Sequence, residues 1–279
     1  MLLNYIRLFT KISATLADKS LANQDDTQTV SLVLGTSDYI YVAQRYPFTN
    51  LFLHMDSVNT NASVLSGQYW DGTEWRDAVD MMDGTSLSGA TLGKSGGIQW
   101  SLDPLYTWNI VTDTVQTYAP TELQTLKIYN SYWFRLKVSA SLLAGTDSKE
   151  IGYCFTTSQR LKDFDVEIDG FFASFATGKT DWIDEIKTGS KLVVQDLKRL
   201  GLVMSPGQII ELDDVYVPTS LRTLMLIYSN LGPSYKDKIT AMAKEYDKAM
   251  NIRRFTFDTN ADGKLEQREI SGTIKRIYR

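Results

Sequence analysis

The clearest chemical pattern in the sequence is an acidic loop near its C-terminal end, residues 258–269, which reads DTNADGKLEQRE. A twelve-residue calcium loop takes side-chain oxygens from positions 1, 3 and 5, a backbone carbonyl from position 7, a ligand that often acts through water at position 9, and a bidentate carboxylate from position 12. The pattern therefore predicts a Ca²⁺ site whose ligands are Asp258, Asn260, Asp262, Lys264, Glu266 and Glu269.

The acidic loop is single, whereas sensor loops of this kind come in pairs flanked by two full helices. The segment that follows it carries Gly272 and the β-branched Thr273 and Ile274, and we expect it to be extended. A lone loop cannot open a helix pair, so we interpret the ion as a structural staple that fixes the direction of the tail. The alternative is an Asp/Asn/Gly-rich turn that caps a helix and binds no metal.

Other catalytic patterns are absent from the sequence. His54 is the only histidine and Cys154 the only cysteine, so a zinc site lacks ligands and no intrachain disulfide can form. The two residues could in principle form a nucleophile pair, but a buried thiol and a strand imidazole are the expected roles. We find no phosphate-binding loop, and we predict that the protein is not an enzyme.

The charge is low overall and is unevenly distributed. The chain of 279 residues has a net charge of -4; the part through Asp147 holds 9 basic and 14 acidic residues, and the remainder holds 20 and 19. Neither part has the basic excess with which proteins grip nucleic acid. The first residues lack a continuous apolar run, so we expect no signal peptide, and no later stretch is apolar over the length of a bilayer.

The first half of the chain is predicted to be an antiparallel sandwich. From about Thr29 to about Leu143, short alternating runs are separated by Gly, Asn, Asp and Thr. In the clearest run, Tyr132, Phe134, Leu136 and Val138 share one face, and Trp133, Arg135 and Lys137 share the other. The run WDGTEW predicts a hairpin, and DAVDMMDG is interpreted as a polar connection. The domain boundary is predicted between Leu143 and Asp163, where AGTDSKEIG supplies small and charged residues. The other predicted strands are DYIYVAQ, NLFLHMDSV, SVLSGQYW and GGIQWSL.

Five of the six tryptophans lie in this β half: Trp70, Trp75, Trp100, Trp108 and Trp133. Exposed rings on a sandwich can stack sugars, whereas buried rings fill the space between two sheets. We expect the rings to be core, with a carbohydrate platform as the alternative.

Beyond about Asp163 the apolar spacing becomes helical. A first helix is predicted with Trp182, Ile186, Val193, Leu197 and Leu200 on one face, Asp181 as its N-cap and Gly201 at its end. A second is predicted to begin near Pro218 and to end at Gly232, and a third to be capped by Ser234 with Ile239, Met242, Tyr246 and Ala249 aligned. The predicted fold is thus an all-β sandwich, residues 1–150, followed by a helical domain, residues 151–279.

The order of these elements resembles the head-to-tail adaptor (connector) proteins of tailed bacteriophages. The similarity lies in the helix with AKEYDKAM followed by D-x-N-x-D-G, and in a β region similar to sandwiches of phage virion proteins. The resemblance implies a ring, usually of twelve subunits, that joins portal to tail and passes genomic DNA without reading its sequence. It also implies a location in the virion neck after assembly in the host cytoplasm.

The resemblance further implies that the basic tail docks on the portal. Its residues are Ile274, Lys275, Arg276, Ile277, Tyr278 and Arg279. A minimal adaptor lacks the sandwich, which we expect to project as a collar or decoration. The alternative reading of the whole chain is a secreted carbohydrate-binding module with a calcium-stapled docking segment.

Overall fold

The computed structural model describes residues 6–25, 27–111, 119–126, 128, 130–251 and 257. Their contacts divide them into two compact units, one ending at Gly152 and the other beginning at Tyr153. Unit 1 consists of antiparallel sheets and unit 2 of helices, so the predicted order of a β region followed by a helical region is confirmed. The acidic loop and the basic tail lie outside the described residues.

Unit 1 contains two sheets in which every strand pairs antiparallel with its neighbours. Sheet A has six strands in the order β2-β1-β4-β10-β6-β7, and sheet B has five in the order β3-β11-β5-β9-β8. The strand bounds are β1 Arg7–Ile12, β2 Thr15–Asp18, β3 Val30–Ser31, β4 Tyr39–Gln44, β5 Asn50–Ser57, β6 Leu65–Trp70, β7 Trp75–Asp77, β8 Val79–Asp83, β9 Gly96–Ser101, β10 Tyr132–Val138 and β11 Asp147–Gly152.

The two sheets are held together by aromatic side chains. The ring of Trp100 from sheet B stacks on the ring of Phe134 from sheet A, with centroids 4.0 Å apart and planes 14° apart. Gly67 on the neighbouring strand leaves room for this ring, because a Cβ there would lie 2.9 Å from Phe134 Cε1. The edges of Phe48 and Trp108 complete the cluster.

The outer face of sheet A is also buried, which the sequence did not predict. Trp133 is only 1% exposed although it points away from Phe134. It belongs to a second core cluster made by the strands and by residues that precede β10, among them the 3₁₀ segment Thr121–Leu126. Strand β10 is therefore buried on both faces near its start, whereas Arg135 and Lys137 further along the outer face are only partly buried.

The five strands predicted from apolar runs are all present, and so is the WDGTEW hairpin, in which Trp70 pairs with Trp75. DAVDMMDG, interpreted as a polar connection, contains β8 instead. AGTDSKEIG, expected at the domain boundary, contains β11, which lies between β3 and β5. The β region also begins earlier than predicted, since β1 and β2 precede Thr29.

Unit 2 is built around one buried helix. Its helices are α1 Ser158–Leu161, α2 Phe172–Phe175, α3 Ile183–Arg199, α4 Leu212–Leu231 and α5 Lys236–Met250. Helix α4 has buried residues on most of its circumference, and α3 and α5 make their main helix contacts with it. Short 3₁₀ segments at Ile168–Phe171, Pro206–Gln208 and Pro233–Tyr235 lie between these helices.

The predicted helix ends were partly right. Asp181 Oδ1 accepts a hydrogen bond from Ile183 N at 3.0 Å, Gly201 has φ +72°, and α4 ends before Gly232 at φ +112°. Pro218 was wrongly taken as a helix start, since α4 begins six residues earlier with Asp213 and Asp214 in its first turn.

Three side chains of unit 2 depart from their predicted roles. Ser234 lies within a 3₁₀ segment and does not cap α5. Leu200 is 43% exposed because it lies just past the last turn of α3. Ile239 is only half-buried, whereas Tyr246 on the same predicted stripe is buried.

Helices α3 and α4 approach closely where small residues meet. Gly189 and Ser190 of α3 are buried next to Thr219, Ser220 and Thr223 of α4. A Cβ on Gly189 would contact Thr223 Oγ1 and would lie 3.2 Å from the backbone nitrogen of Thr223. The hydroxyl cannot turn away freely, because it donates to Thr219 O at 2.8 Å.

We predict that Gly189→Ala lowers the stability of unit 2. Alanine gains about 1 kcal/mol of helix propensity, but overpacking of a close helix crossing costs about 1–3 kcal/mol. The net effect, measured by chemical denaturation, is expected to be a loss on the order of 1 kcal/mol. The control is Gly170→Ala, since nothing lies within 4 Å of a Cβ there. A Gly189→Ala protein that is as stable as this control would contradict the close packing.

Candidate functional site

The predicted metal ligands and tail residues cannot be placed, since residues 258–279 lie outside the described part of the chain. The nearest described residue is Phe257, which is 4% exposed and forms an antiparallel bridge with Ile209 of unit 2. The chain immediately before the acidic loop is therefore anchored to the helical unit. Within the described residues, the candidate sites are clusters of polar side chains in each of the two units and a groove in unit 2.

The most polar cluster of unit 1 lies on the outer face of sheet A, around Arg135 of β10. Its guanidinium lies 4.2 Å from the ring centroid of Tyr39 and 4.4 Å from that of Trp75, on neighbouring parts of the same face. Its Nε donates to Gln68 Oε1 at 2.7 Å, and Gln68 Nε2 donates to Asp77 Oδ1 at 2.7 Å. A cation between two aromatic rings is strongly held, since each contact adds to the hydrogen bonds.

Glu122 connects this cluster to the 3₁₀ segment above it. Its Oε1 accepts hydrogen bonds from Tyr41 Oη at 3.1 Å, Trp75 Nε1 at 3.1 Å and Arg135 Nη1 at 3.3 Å. Burial raises the pKa of Tyr41 above its ordinary value, and the charge of Glu122 raises it further. Tyr41 therefore stays protonated and acts as a donor to Glu122.

The hairpin between β6 and β7 places Trp75 in this cluster. Asp71 accepts hydrogen bonds from Thr73 N and Glu74 N, both at 2.8 Å, and pairs with Arg76 Nε at 2.6 Å. Burial by itself would raise the pKa of Asp71, but the hydrogen bonds from Glu74, Thr73 and Arg76 prevail and lower it to about 2. The turn is thus fixed by a carboxylate that stays ionised.

The aromatic rings of the β unit are used internally. Trp70, Trp100, Trp108 and Trp133 are buried, as expected for core residues. Trp75 is half-buried, but it contacts Arg135 as well as the rings of Tyr41 and Trp70. Stacking of a sugar needs an open ring face. The arrangement therefore stabilises the outer face of sheet A.

In unit 2, a polar cluster joins α4, α5 and the segment after α1. Tyr228 donates to Asp165, and Lys238 Nζ lies 2.8 Å from the same carboxylate. Burial alone would raise the pKa of Asp165, but the hydrogen bonds from Lys238 and Tyr228 hold it below its ordinary value. Tyr246 of α5 likewise donates to Asp196 of α3 at 2.6 Å. These contacts fix the position of α5.

A groove of about 490 Å³ runs beside the outer part of α5. Its apolar lining comes from Phe164, Leu221 and Met242, and its charges are balanced between two acids and two lysines. The full lining is Phe164, Leu221, Asp237, Thr240, Ala241, Met242, Lys244, Glu245 and Lys248. The groove thus presents apolar and oppositely charged groups side by side.

Metal-ligating side chains do not gather in the described part of the chain. No set of three or more His, Cys, Asp or Glu side chains with metal-binding geometry occurs among these residues. His54 is 9% exposed on β5, and Cys154 is 6% exposed at the start of unit 2. None of the described helices is long and apolar enough to cross a membrane.

No protein-family model, no curated protein and no solved structure matches this chain.

We predict that Glu122→Ala destabilises unit 1 by about 1–3 kcal/mol, because three donors lose one acceptor and Tyr41 is fully buried. The measurement is chemical denaturation followed by tryptophan fluorescence, because five of the six tryptophans lie in this unit. The control is Glu74→Ala, whose side chain is 60% exposed and pairs only with Arg76 in an ion pair at the surface. Equal stability of the two variants would show that Glu122 does not hold the cluster together.

Proposed function

We propose that the protein is a structural component of a bacteriophage virion that forms a homo-oligomeric ring at the head-to-tail interface. In this role it joins the portal protein to tail or neck proteins and continues the channel through which genomic DNA passes. The proposal rests on the order of elements, an antiparallel β unit followed by helices α3 to α5, which is the order that resembles phage adaptors. The location follows from the role: the virion neck, after assembly in the host cytoplasm.

The observation that carries the proposal is the surface beside α5. The groove leaves Met242 and Leu221 in contact with an open volume of about 490 Å³. Asp237 and Glu245 lie there with Lys244 and Lys248, so the groove offers both signs of charge to a neighbouring subunit. In a ring, each subunit uses one surface of this kind to receive a second, different surface of its neighbour, because ring contacts are head-to-tail.

The charge of the second half supports a channel that does not retain DNA. The part of the chain after Asp147 holds 20 basic and 19 acidic residues. Binding to duplex DNA draws its affinity from neutralised phosphates, and a nearly neutral wall provides few of these contacts. DNA can therefore pass such a wall without being held by it.

The carbohydrate-binding alternative receives less support. It requires an aromatic platform, and the half-buried rings Tyr39 and Trp75 enclose Arg135 between them. We therefore retain the virion connector as the proposed function and assign it no enzymatic activity.

The ring predicts a native mass several times the 31.5 kDa of one chain, measured by mass photometry or native mass spectrometry. Ala241→Arg places a long cationic side chain in the groove, and we expect it to shift the protein toward single chains. The matched control, Gln195→Arg, adds the same group on the exposed side of α3 and should leave the mass unchanged.

A wild-type chain that stays monomeric both alone and with a portal protein would refute the ring. Retention of such a monomer on a glycan array would favour the carbohydrate-binding module instead. If Ala241→Arg and Gln195→Arg change the native mass equally, the ring remains the proposed assembly. Its subunit interface would then not be the groove beside α5.

We further propose that the acidic loop, residues 258–269, binds Ca²⁺ and directs the tail, Ile274 to Arg279, toward the portal. Calorimetric titration of the full chain is expected to show one calcium site, and Asp262→Ala should abolish it because position 5 of such a loop supplies a side-chain ligand. The sandwich should remain folded, since the loop follows all the helices in sequence. An absence of heat at about 1 mM calcium, the weak limit for such loops, would reduce the segment to a turn.

A further inference from the structure

Three connections of unit 1 meet at one end of the two sheets. They are residues 58–64 between β5 and β6, 84–95 between β8 and β9, and 139–146 between β10 and β11. Hydrogen bonds join all three: Asn59 N donates to Leu92 O at 2.9 Å, and Leu143 N donates to Asn59 Oδ1 at 3.0 Å. We call these three segments the loop tip.

The loop tip is a fixed surface. Asn59 is 1% exposed, and its Nδ2 also donates to Thr91 O at 2.9 Å and to Asn61 O at 2.8 Å. The loop 139–146 is tied to the first loop a second time, through Val64 N and Ser139 Oγ at 2.8 Å. A surface that is ordered in advance loses little conformational entropy when it binds.

Each of the three loops exposes a large apolar side chain. Val64 is 67% exposed, Leu87 53%, Val58 41% and Leu143 40%. Together they are four of the ten large apolar side chains that are exposed among the described residues. Such residues are ordinary when scattered singly, but their concentration on adjoining loops marks an interaction surface.

The loop tip is almost without charge. Lys94 is the only charged residue in its three segments, although 22% of the whole chain is charged. The first part of the chain, through Asp147, holds 9 basic and 14 acidic residues, so the rest of this unit is acidic. Two copies of an acidic body repel one another least when the surfaces that meet carry no acidic residues.

We propose that the loop tip is a self-association surface, on which the tip of a second copy of this chain packs. The partner tip presents the same uncharged Ser, Thr and Asn residues and the same apolar side chains, so it is matched in both charge and polarity. The tip contains no aromatic residue for stacking sugars and only one cation for binding acidic lipids. This inference does not depend on the ring proposed above, which uses a surface of unit 2.

The test is disulfide cross-linking of the full chain at three positions, Val58→Cys, Leu87→Cys and Leu143→Cys, under mild oxidation. In an isologous contact a residue near the two-fold axis meets its own copy, so at least one variant is expected to give a covalent dimer. Wild-type protein controls for Cys154, which is 6% exposed. Leu105→Cys is the matched control: this residue is 83% exposed and follows β9 at the end remote from the loop tip.

A second substitution tests whether the dimer depends on the uncharged surface. Val64→Glu, added to the variant that cross-links best, should reduce the yield at least tenfold, because two carboxylates would then face each other. Circular dichroism checks that the sheets remain folded, which we expect since Val64 is exposed. The reduction should persist when Ala241→Arg is also present, which separates this contact from the ring.

Two results would overturn the proposal. The first is cross-linking at all three positions that is no faster than at Leu105→Cys. The second is a yield that Val64→Glu leaves unchanged while circular dichroism remains native. In either case the loop tip does not bind a second copy of itself.

Discussion

Burial of sheet A on both faces is the constraint on which most of unit 1 depends. Its inner face packs on sheet B through the stacked rings of Trp100 and Phe134. Its outer face carries Trp133 and Trp70, which would expose a large aromatic surface without the residues that precede β10. Because Leu123 of the 3₁₀ segment covers these rings, the segment is part of the core and not a surface connection.

The polar groups of the outer face follow from this constraint. Burying a long cationic side chain under a covered face costs free energy unless the charge is paired. Arg135 lies against the rings of Tyr39 and Trp75, donates to Gln68 and pairs with Glu122. Glu122 links the covering segment to the sheet, since it accepts hydrogen bonds from donors on β4, β7 and β10. The cluster therefore locates the 3₁₀ segment on the sheet, which apolar contact alone does not do as specifically.

The sequence predicted the elements whose burial follows a simple period. The runs around Phe134 and around Leu53 show this, because their apolar residues alternate or are continuous. It could not predict β11, where Ser148 and Glu150 are buried in a central strand and look like linker residues. It also misplaced the start of α4: a proline usually marks the first turn, whereas Pro218 is buried in the interior of this helix. In each case tertiary contacts override a local preference.

The same limit applies to the sites. The Arg135 cluster combines residues from four parts of the chain, and nothing in the local pattern around Glu122 indicates that it accepts three hydrogen bonds. A signal was present at the loop tip, where long uncharged segments stand out in a charged chain, but only the strand order shows that they meet. In the loop tip, Leu92 is fully buried and has φ +55°. This left-handed backbone conformation is strained for a residue other than glycine. Its nitrogen donates to Thr85 Oγ1 at 2.9 Å, and its carbonyl accepts from Asn59. These two hydrogen bonds stabilise the strained conformation of Leu92 and so help to keep the loop tip in one shape.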